Sequence, residues 1–220
     1  TRRQLHEQAG RYIEQTYADQ IDRYLDLLAY HFGLSENKAK QREYFYRAGV
    51  AAQAVFANAA AIEYYRHAAP LMEAHEKPEL LLRLGGVLEL TGSWKDAEAT
   101  YLEAEQTAEA AGRQADQARS WLARATLERR KGNFEPALAL LEKARAQFDA
   151  LGDWEGVNDV LRDRGVVYWS QGAYPRALAC FEECRNRAIS TGDRRRLFRA
   201  LGNIGLIHDA QNDPKEALQS

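Results

Sequence analysis

The chain has 220 residues, a formal net charge of −2, and 45% hydrophobic and 28% charged residues, which is the balance of a folded globular protein. The near-neutral charge argues against a nucleic-acid partner bound through bulk electrostatics, and no apolar run approaches the roughly 18 residues that a membrane span needs. We therefore expect neither a nucleic-acid partner nor a membrane partner.

The first third of the chain predicts helices of uneven character. Arg2–Thr16 and residues 19–32 each carry apolar side chains at helical spacing, and in the first of them Leu5, Tyr12 and Ile13 are expected to face a core. Residues 36–75 predict a further helical pair with a shorter unit than the repeats that follow it. It carries a regular pattern of small and aromatic residues at Gly49, Ala61, Tyr65 and Ala68.

A repeat of 40 residues governs the remainder of the chain. Four similar segments lie 40 residues apart, at residues 92–97 (GSWKDA), 132–137 (GNFEPA), 172–177 (GAYPRA) and 212–217 (NDPKEA). A second glycine marker keeps the same period at Gly112, Gly152 and Gly192. We therefore predict an N-terminal helical region with one degenerate repeat at residues 1–75, and 40-residue repeats at 76–220 with the last one truncated.

Each period predicts two helices that approach closely. Glycine ends the first helix, and the segment after it begins the second. Ser93 with Asp96, and residues 213–216, resemble capping boxes. Small residues allow the close approach, and they stand twelve positions before an alanine of the second helix at Gly85, Ala125, Gly165 and Gly205.

These spacings resemble the tetratricopeptide repeat, whose unit has ~34 residues. The resemblance implies an all-α, right-handed superhelical solenoid of antiparallel helix pairs. In such arrays the first helix of each unit lines a concave groove that binds protein or peptide segments. Transferring that register to this chain gives a candidate partner-binding set of Arg119, Arg129, Arg130, Arg162, Asp163, Trp169, Arg199 and Asn203.

The groove hypothesis centres on Trp169, Arg162, Arg129 and Arg130, because tryptophan and arginine most often carry binding energy at interfaces. The arginines favour an acidic partner segment. Two plainer interpretations stay open. The basic clusters are also typical of solvated helix faces, and a single exposed tryptophan is common on protein surfaces.

No motif for catalysis, cofactors or metals is found. There is no phosphate-binding loop, no dinucleotide fingerprint and no zinc pattern, so we expect a non-enzymatic chain with no cofactor and no metal. None of the five histidines pairs with another at a ligand spacing; His31 is interpreted as structural and His208 as core. Cys180 and Cys184 lie one helical turn apart and predict small buried residues, with a thiol switch as the alternative; they favour a reducing, cytoplasmic setting.

A second resemblance concerns residues 27–32 (LLAYHF), 46–49 (YRAG) and 56–65 (FANAAAIEYY). They look like the segment after the ATPase module in large bacterial signalling proteins, most closely adenylate or guanylate cyclases with a tetratricopeptide tail. The resemblance implies a regulatory arm whose partners are other domains of the same parent protein. The alternative is a free-standing peptide-binding adaptor. The start on Thr1 and the close on an unfinished helix predict a piece of a longer chain, able to form homo-oligomers through its C-terminal end.

Overall fold

The computed structural model describes residues 1–216, with side chains up to residue 211. Within this range the chain forms eleven α-helices and no strand, which confirms the all-α prediction. The helices are α1 (Arg2–Thr16), α2 (Leu25–Gly33), α3 (Lys38–Ala54), α4 (Asn58–Ala68), α5 (Lys77–Leu90), α6 (Trp94–Ala110), α7 (Gln114–Arg130), α8 (Phe134–Leu151), α9 (Trp154–Ser170), α10 (Tyr174–Thr191) and α11 (Arg194–Glu216). Two 3₁₀ segments, Ala18–Tyr24 and Ala69–Leu71, lie before α2 and after α4.

The chain divides by its internal contacts into two compact units, residues 1–116 and residues from 117 onward. In each unit consecutive helices pack as pairs joined by short turns. The expected boundary near residue 75 stays a prediction.

The first unit pairs α1 with α2, α3 with α4 and α5 with α6. Between the first two pairs, the buried ring of Phe32 stacks on Tyr44 with centroids 5.2 Å apart. In the third pair Gly85 faces the buried ring of Tyr101, and the Tyr101 hydroxyl donates to a carboxylate oxygen of Glu89 at 3.0 Å. The small residue of the first helix therefore admits an aromatic ring from the second, as the repeat register predicts.

The second unit repeats this packing. One core cluster joins Ala125 of α7 to Leu141 and Phe148 of α8 and to Leu161 of α9. A second cluster joins Phe181 of α10 to α11. These buried stripes recur with the 40-residue period, which is why the pattern of small and large residues can be recognised in the sequence.

Glycines in the left-handed region end helices at the turn within each repeat and at the turn between repeats. Gly92, Gly132 and Gly172 have φ of 79°, 83° and 71°, and the same conformation recurs in the second marker at Gly112, Gly152 and Gly192. The residue after the glycine donates its amide to the helix carbonyl five positions back, as Ser93 does to Leu88 at 2.9 Å. This backbone closure satisfies carbonyls that the ending helix leaves without a partner.

The capping box expected at Ser93 is wrong, because its side chain makes no cap hydrogen bond. Ala173 adopts nearly the same backbone angles at the equivalent position although it has no side-chain acceptor. The glycine and the backbone bond therefore set this turn. Side-chain caps occur instead on first helices, where Asp153 accepts from the amide of Gly156 at 2.9 Å.

The N-terminal region departs from the sequence prediction in two ways. Residues 19–32 are not one helix: Gln20 has non-helical angles, and the rings of Tyr17 and Tyr24 stack across the 3₁₀ segment with centroids 4.3 Å apart. In α1, Ile13 is buried as expected, but Leu5 and Tyr12 are exposed.

The fourth repeat also differs. Helix α11 runs without a break to Glu216, so the capping box expected at residues 213–216 does not begin a new helix. The equivalent of Gly92, Gly132 and Gly172 is Asn212, which lacks the freedom of glycine to turn the chain. His208 is exposed and Ile207 is buried in its place. The rest of the expected second helix, residues 217–220, lies outside the described residues.

Candidate partner-binding cleft

A cleft of about 390 Å³ opens between α9 and α11 in the second unit, with α10 beneath it. Phe181 and Cys184 of α10 form part of its lining. Three of the candidate groove residues, Arg162, Arg199 and Asn203, line it together. Arg162 precedes Arg199 by 37 positions and Asn203 by 41, and the packing of the helices brings all three to one site.

Arg162 is held by two carboxylates on its own helix. Its guanidinium donates to Asp163 at 2.8 Å and to Asp159 at 3.0 Å. Burial opposes the charged form of Arg162, but the interactions with Asp163 and Asp159 together outweigh it and raise the pKa of the guanidinium. Burial raises the pKa of Asp159, and the charge of Arg162 opposes that shift. Asp163 also accepts from the hydroxyl of Thr126 at 3.3 Å, which ties α7 to α9.

Arg196 is also paired within the cleft. Its guanidinium lies 3.1 Å from Asp193 and 3.4 Å from Glu155. Arg162 and Arg196 are thus fixed by carboxylates of the same unit. Arg195 and Arg199 are exposed, and among the described residues no ion pair is found for either of them.

Asn158 has a buried side-chain oxygen without a hydrogen-bond partner among the described residues. A buried amide oxygen without a partner carries a desolvation penalty of about 1–3 kcal/mol, which a bound donor would relieve. The residues that line the cleft thus include Asn158, with its buried and unpaired acceptor, and the exposed charged donors Arg195 and Arg199.

Trp169 lies at a smaller apolar cavity that shares a wall with the cleft. This cavity, of about 90 Å³, is lined by Val166, Trp169, Phe181, Asn203 and Leu206. The side chain of Trp169 is 43% exposed, while Tyr168 just before it is half-buried and Val167 is buried. The buried stripe of α9 therefore passes through Val167, and Trp169 is turned toward α11. Asn203 and Phe181 belong to both cavities.

The other candidate residues lie elsewhere. Arg119 is exposed on α7 with its guanidinium 4.0 Å from Asp153. Arg129 and Arg130 occupy the last turn of α7, half-buried and exposed respectively. None of the three lines the α9–α11 cleft. Cations at a helix C-terminus are favoured by the helix dipole, which gives Arg129 and Arg130 a local role.

The two cysteines behave as small buried residues, which agrees with the first of their two interpretations. Burial raises the pKa of the Cys184 thiol to about 12 and also raises that of Cys180. A reactive thiol needs a lowered pKa and exposure, so neither side chain has the environment of a thiol switch.

Part of this site leaves no signal in the amino-acid sequence. Asn158 and Glu155 carry no repeat signature, and their place in the cleft follows only from the packing of α9 on α11. Arg194, Arg195 and Arg196 form a run of positive charge in the sequence, but the sequence does not distinguish Arg196, which forms ion pairs, from Arg195, which forms none among the described residues.

A family model for the tetratricopeptide repeat matches residues 76–150 and 157–220, which is more than half of the chain. The chain belongs to the tetratricopeptide repeat family. A search of curated proteins finds no match. The repeat family is an interaction module, and the paired helices described above are its fold.

Solved structures of low sequence identity share this fold. Aspartyl phosphate phosphatase F from Bacillus subtilis superposes with a TM-score of 0.74 and 15% identity over 96% of this chain and 56% of that chain. A signal transduction ATPase (STAND) protein with a tetratricopeptide repeat sensor from Pyrococcus horikoshii superposes with a TM-score of 0.66 and 16% identity, over 94% of this chain and 33% of that chain. YrrB, a tetratricopeptide repeat protein with an unusual peptide-binding site, superposes with a TM-score of 0.57 and 18% identity, over 88% of each chain. The chain thus spans little more than half of the first protein and a third of the second.

Two further features are absent from the described residues. None of their helices combines the length and apolar character required to cross a bilayer. No group of three or more histidine, cysteine, aspartate or glutamate side chains is arranged to hold a metal ion.

Proposed function

We propose that this chain is a regulatory protein-interaction module that binds an acidic protein segment in the α9–α11 cleft. The observation that carries the proposal is the lining of that cleft. Arg195 and Arg199 supply charged donors without partners of their own, and Asn158 supplies a buried acceptor without a donor. The carboxylate of an acidic segment would accept hydrogen bonds from the arginines, and a backbone N–H of the same segment would donate to the Asn158 oxygen.

The apolar cavity beside Trp169 gives the segment a second point of attachment. Trp169 and Leu206 are both partly exposed there, on facing helices. An apolar side chain two or three residues from the carboxylate would fill it. We place the centre of the contact on Trp169, Arg199 and Asn203, because Arg162 is already engaged by Asp159 and Asp163.

We further propose that the segment belongs to another domain of a larger signalling protein of the ATPase or nucleotide-cyclase type. The resemblance of residues 27–65 to the region after such ATPase modules supports this. So does the likeness in fold to the signal transduction ATPase whose repeats are described as a sensor. On this proposal the module is cytoplasmic and acts on the activity of its parent protein.

The alternative is a free-standing adaptor for short peptides. The likeness to YrrB favours it, because this chain covers 88% of that chain and YrrB is described as having a peptide-binding site. The coding sequence upstream of Thr1 distinguishes the two. A phosphate-binding loop within the preceding few hundred residues supports the signalling protein, and a start codon close to Thr1 supports the adaptor.

The binding proposal is tested with fluorescent peptides that tile the remaining sequence of the parent protein. Trp169→Ala and Arg199→Ala should each weaken the tightest peptide by about tenfold or more, as removing an interface anchor does. Matched controls are Trp154→Ala and Arg194→Ala, which change an exposed tryptophan and an exposed arginine of the same unit outside the α9–α11 cleft. Unchanged affinity in both test variants, or equal losses in the controls, would refute the cleft as the binding site.

A further inference from the structure

Two histidines that are far apart in the sequence meet between α1 and α2. The Nδ1 atoms of His6 and His31 lie 3.1 Å apart, and their rings are tilted by 45° with centroids separated by 5.2 Å. Tyr30 packs edge-on against both rings, at 5.8 Å from His6 and 5.3 Å from His31. The contact is a hydrogen bond in which one Nδ1 donates and the other accepts, so the two imidazoles are held with the same nitrogen facing each other.

This separation matches that of two imidazoles bound to one metal ion. Metal–nitrogen bonds of about 2.0–2.1 Å place neighbouring ligand nitrogens roughly 3.0 Å apart at a right angle and roughly 3.3 Å apart at a tetrahedral angle. The observed 3.1 Å lies between these values. A metal ion would replace the proton shared by the two nitrogens, and that proton would move through solvent to Nε2 of its own ring.

Access also suits a metal ion. Histidine binds metal ions through a neutral ring nitrogen. Both side chains are half-buried, so solvent reaches the pair from one side.

The charged groups nearby have other partners. On α1, Arg3 pairs with Glu36 at 2.7 Å, and the carboxylate of Glu7 accepts from Arg11 and Asn37. No third protein ligand stands at the pair, since no cluster of three such side chains occurs in residues 1–211. Water would complete the coordination, which makes this an exchangeable site rather than a closed structural one.

We propose that His6 and His31 form an open binding site for a divalent transition-metal ion that prefers imidazole, such as Zn²⁺, Ni²⁺ or Cu²⁺. The ion joins α1 to α2. Helix α1 buries only Gly10 and Ile13 and leaves Leu5 and Tyr12 in solvent, so it is weakly anchored by packing alone. The metal would stabilise this helix and with it the N-terminal edge of the first unit.

The first test titrates the full chain with ZnCl₂ at pH 7.5 by calorimetry, with the thermal midpoint as a second readout. We expect one site per chain and a higher midpoint with zinc. His6→Ala and His31→Ala should each bind zinc at least about tenfold more weakly and lose the rise in midpoint. His75→Gln, which changes an exposed histidine of the same unit, should behave like the parent chain.

The second test identifies the ligands with CuCl₂ and electron paramagnetic resonance. The parent chain should show two equivalent nitrogen ligands and each single variant only one. Circular dichroism of the metal-free variants should match the parent chain, which separates a lost ligand from a lost fold. No zinc binding by the parent chain, binding unaffected in both alanine variants, or binding lost in His75→Gln would each overturn the proposal.

Discussion

Gly165 lies where α9 passes over the ring of Phe181, and a Cβ atom added to it would stand 2.6 Å from Cε1 of that ring. The ring is 3% exposed and belongs to a core cluster, so an added Cβ at this distance forces a shift of the ring or of the helix. Gly165→Ala should therefore lower the free energy of unfolding by about 1–3 kcal/mol, and Gly165→Leu should lower it further. Urea denaturation followed by circular dichroism measures both changes.

Gly205→Ala is the matched control for that experiment. It occupies the same position in the next repeat, but an added Cβ meets no atom within 4 Å. Alanine is favoured over glycine inside a helix by roughly 1 kcal/mol, so this variant should be as stable as the parent chain or more stable. Equal effects at Gly165 and Gly205 would contradict the assignment of Gly165 to a tight helix contact.

At the scale of single residues the periodic part of the core was predictable and the rest was not. The 40-residue register predicts the small residues opposite Tyr101 and Phe181, because in both repeats an aromatic ring of the second helix packs against the same position of the first helix. The contact of His6 with His31 has no such signal, since it joins helices outside the regular repeats. The pairing of Arg162 with Asp159 and Asp163 was equally hidden, because sequence spacing alone does not decide which of several nearby charges will meet.

At the scale of helices, the turn before α9 has a side-chain cap and the turn before α6 has none, which predicts different effects of mutation on stability. Asp153 accepts from the amide of Gly156 at the start of α9, whereas Ser93 makes no cap bond at the start of α6. Asp153→Ala should lower the free energy of unfolding by about 1 kcal/mol, a typical value for the loss of an N-cap. Ser93→Ala should leave it nearly unchanged. A loss in Ser93→Ala as large as that in Asp153→Ala, measured by thermal unfolding, would show that both residues cap their helices.

Helix boundaries were predictable where glycine defines them. Gly92, Gly132 and Gly172 adopt the left-handed conformation, and the helices on either side end and begin as expected. Asn212 occupies the same position in the fourth repeat, and α11 continues past it. The kink at Gln20 could not be foreseen because residues 19–32 keep a helical pattern of apolar residues through it. Composition locates helices, but a break without glycine or proline depends on tertiary contacts such as the Tyr17–Tyr24 stack.

At the scale of the whole molecule, the exposed face of α11 predicts self-association. Phe198 and Leu201 are 80% and 49% exposed, and Gly205 lies one turn further along the same face, where an added Cβ would meet no atom within 4 Å. Residues three and seven positions apart share one side of a helix, so these positions form a continuous apolar strip that the described side chains of the second unit leave exposed. We propose that two copies of the chain pair through this strip, since the same surface on both partners suits a two-fold interface.

Light scattering coupled to size-exclusion chromatography tests this pairing over a dilution series. The parent chain should show a mass that rises with concentration from monomer toward dimer. Phe198→Glu with Leu201→Glu should remain monomeric, because each pairing would bring four carboxylates together in an apolar contact. Ile189→Glu, which changes a 60% exposed side chain of α10 in the same unit, should still dimerise. If the parent chain stays monomeric at its highest soluble concentration, or if Ile189→Glu abolishes pairing as fully as the α11 variant, the strip is not the dimer interface.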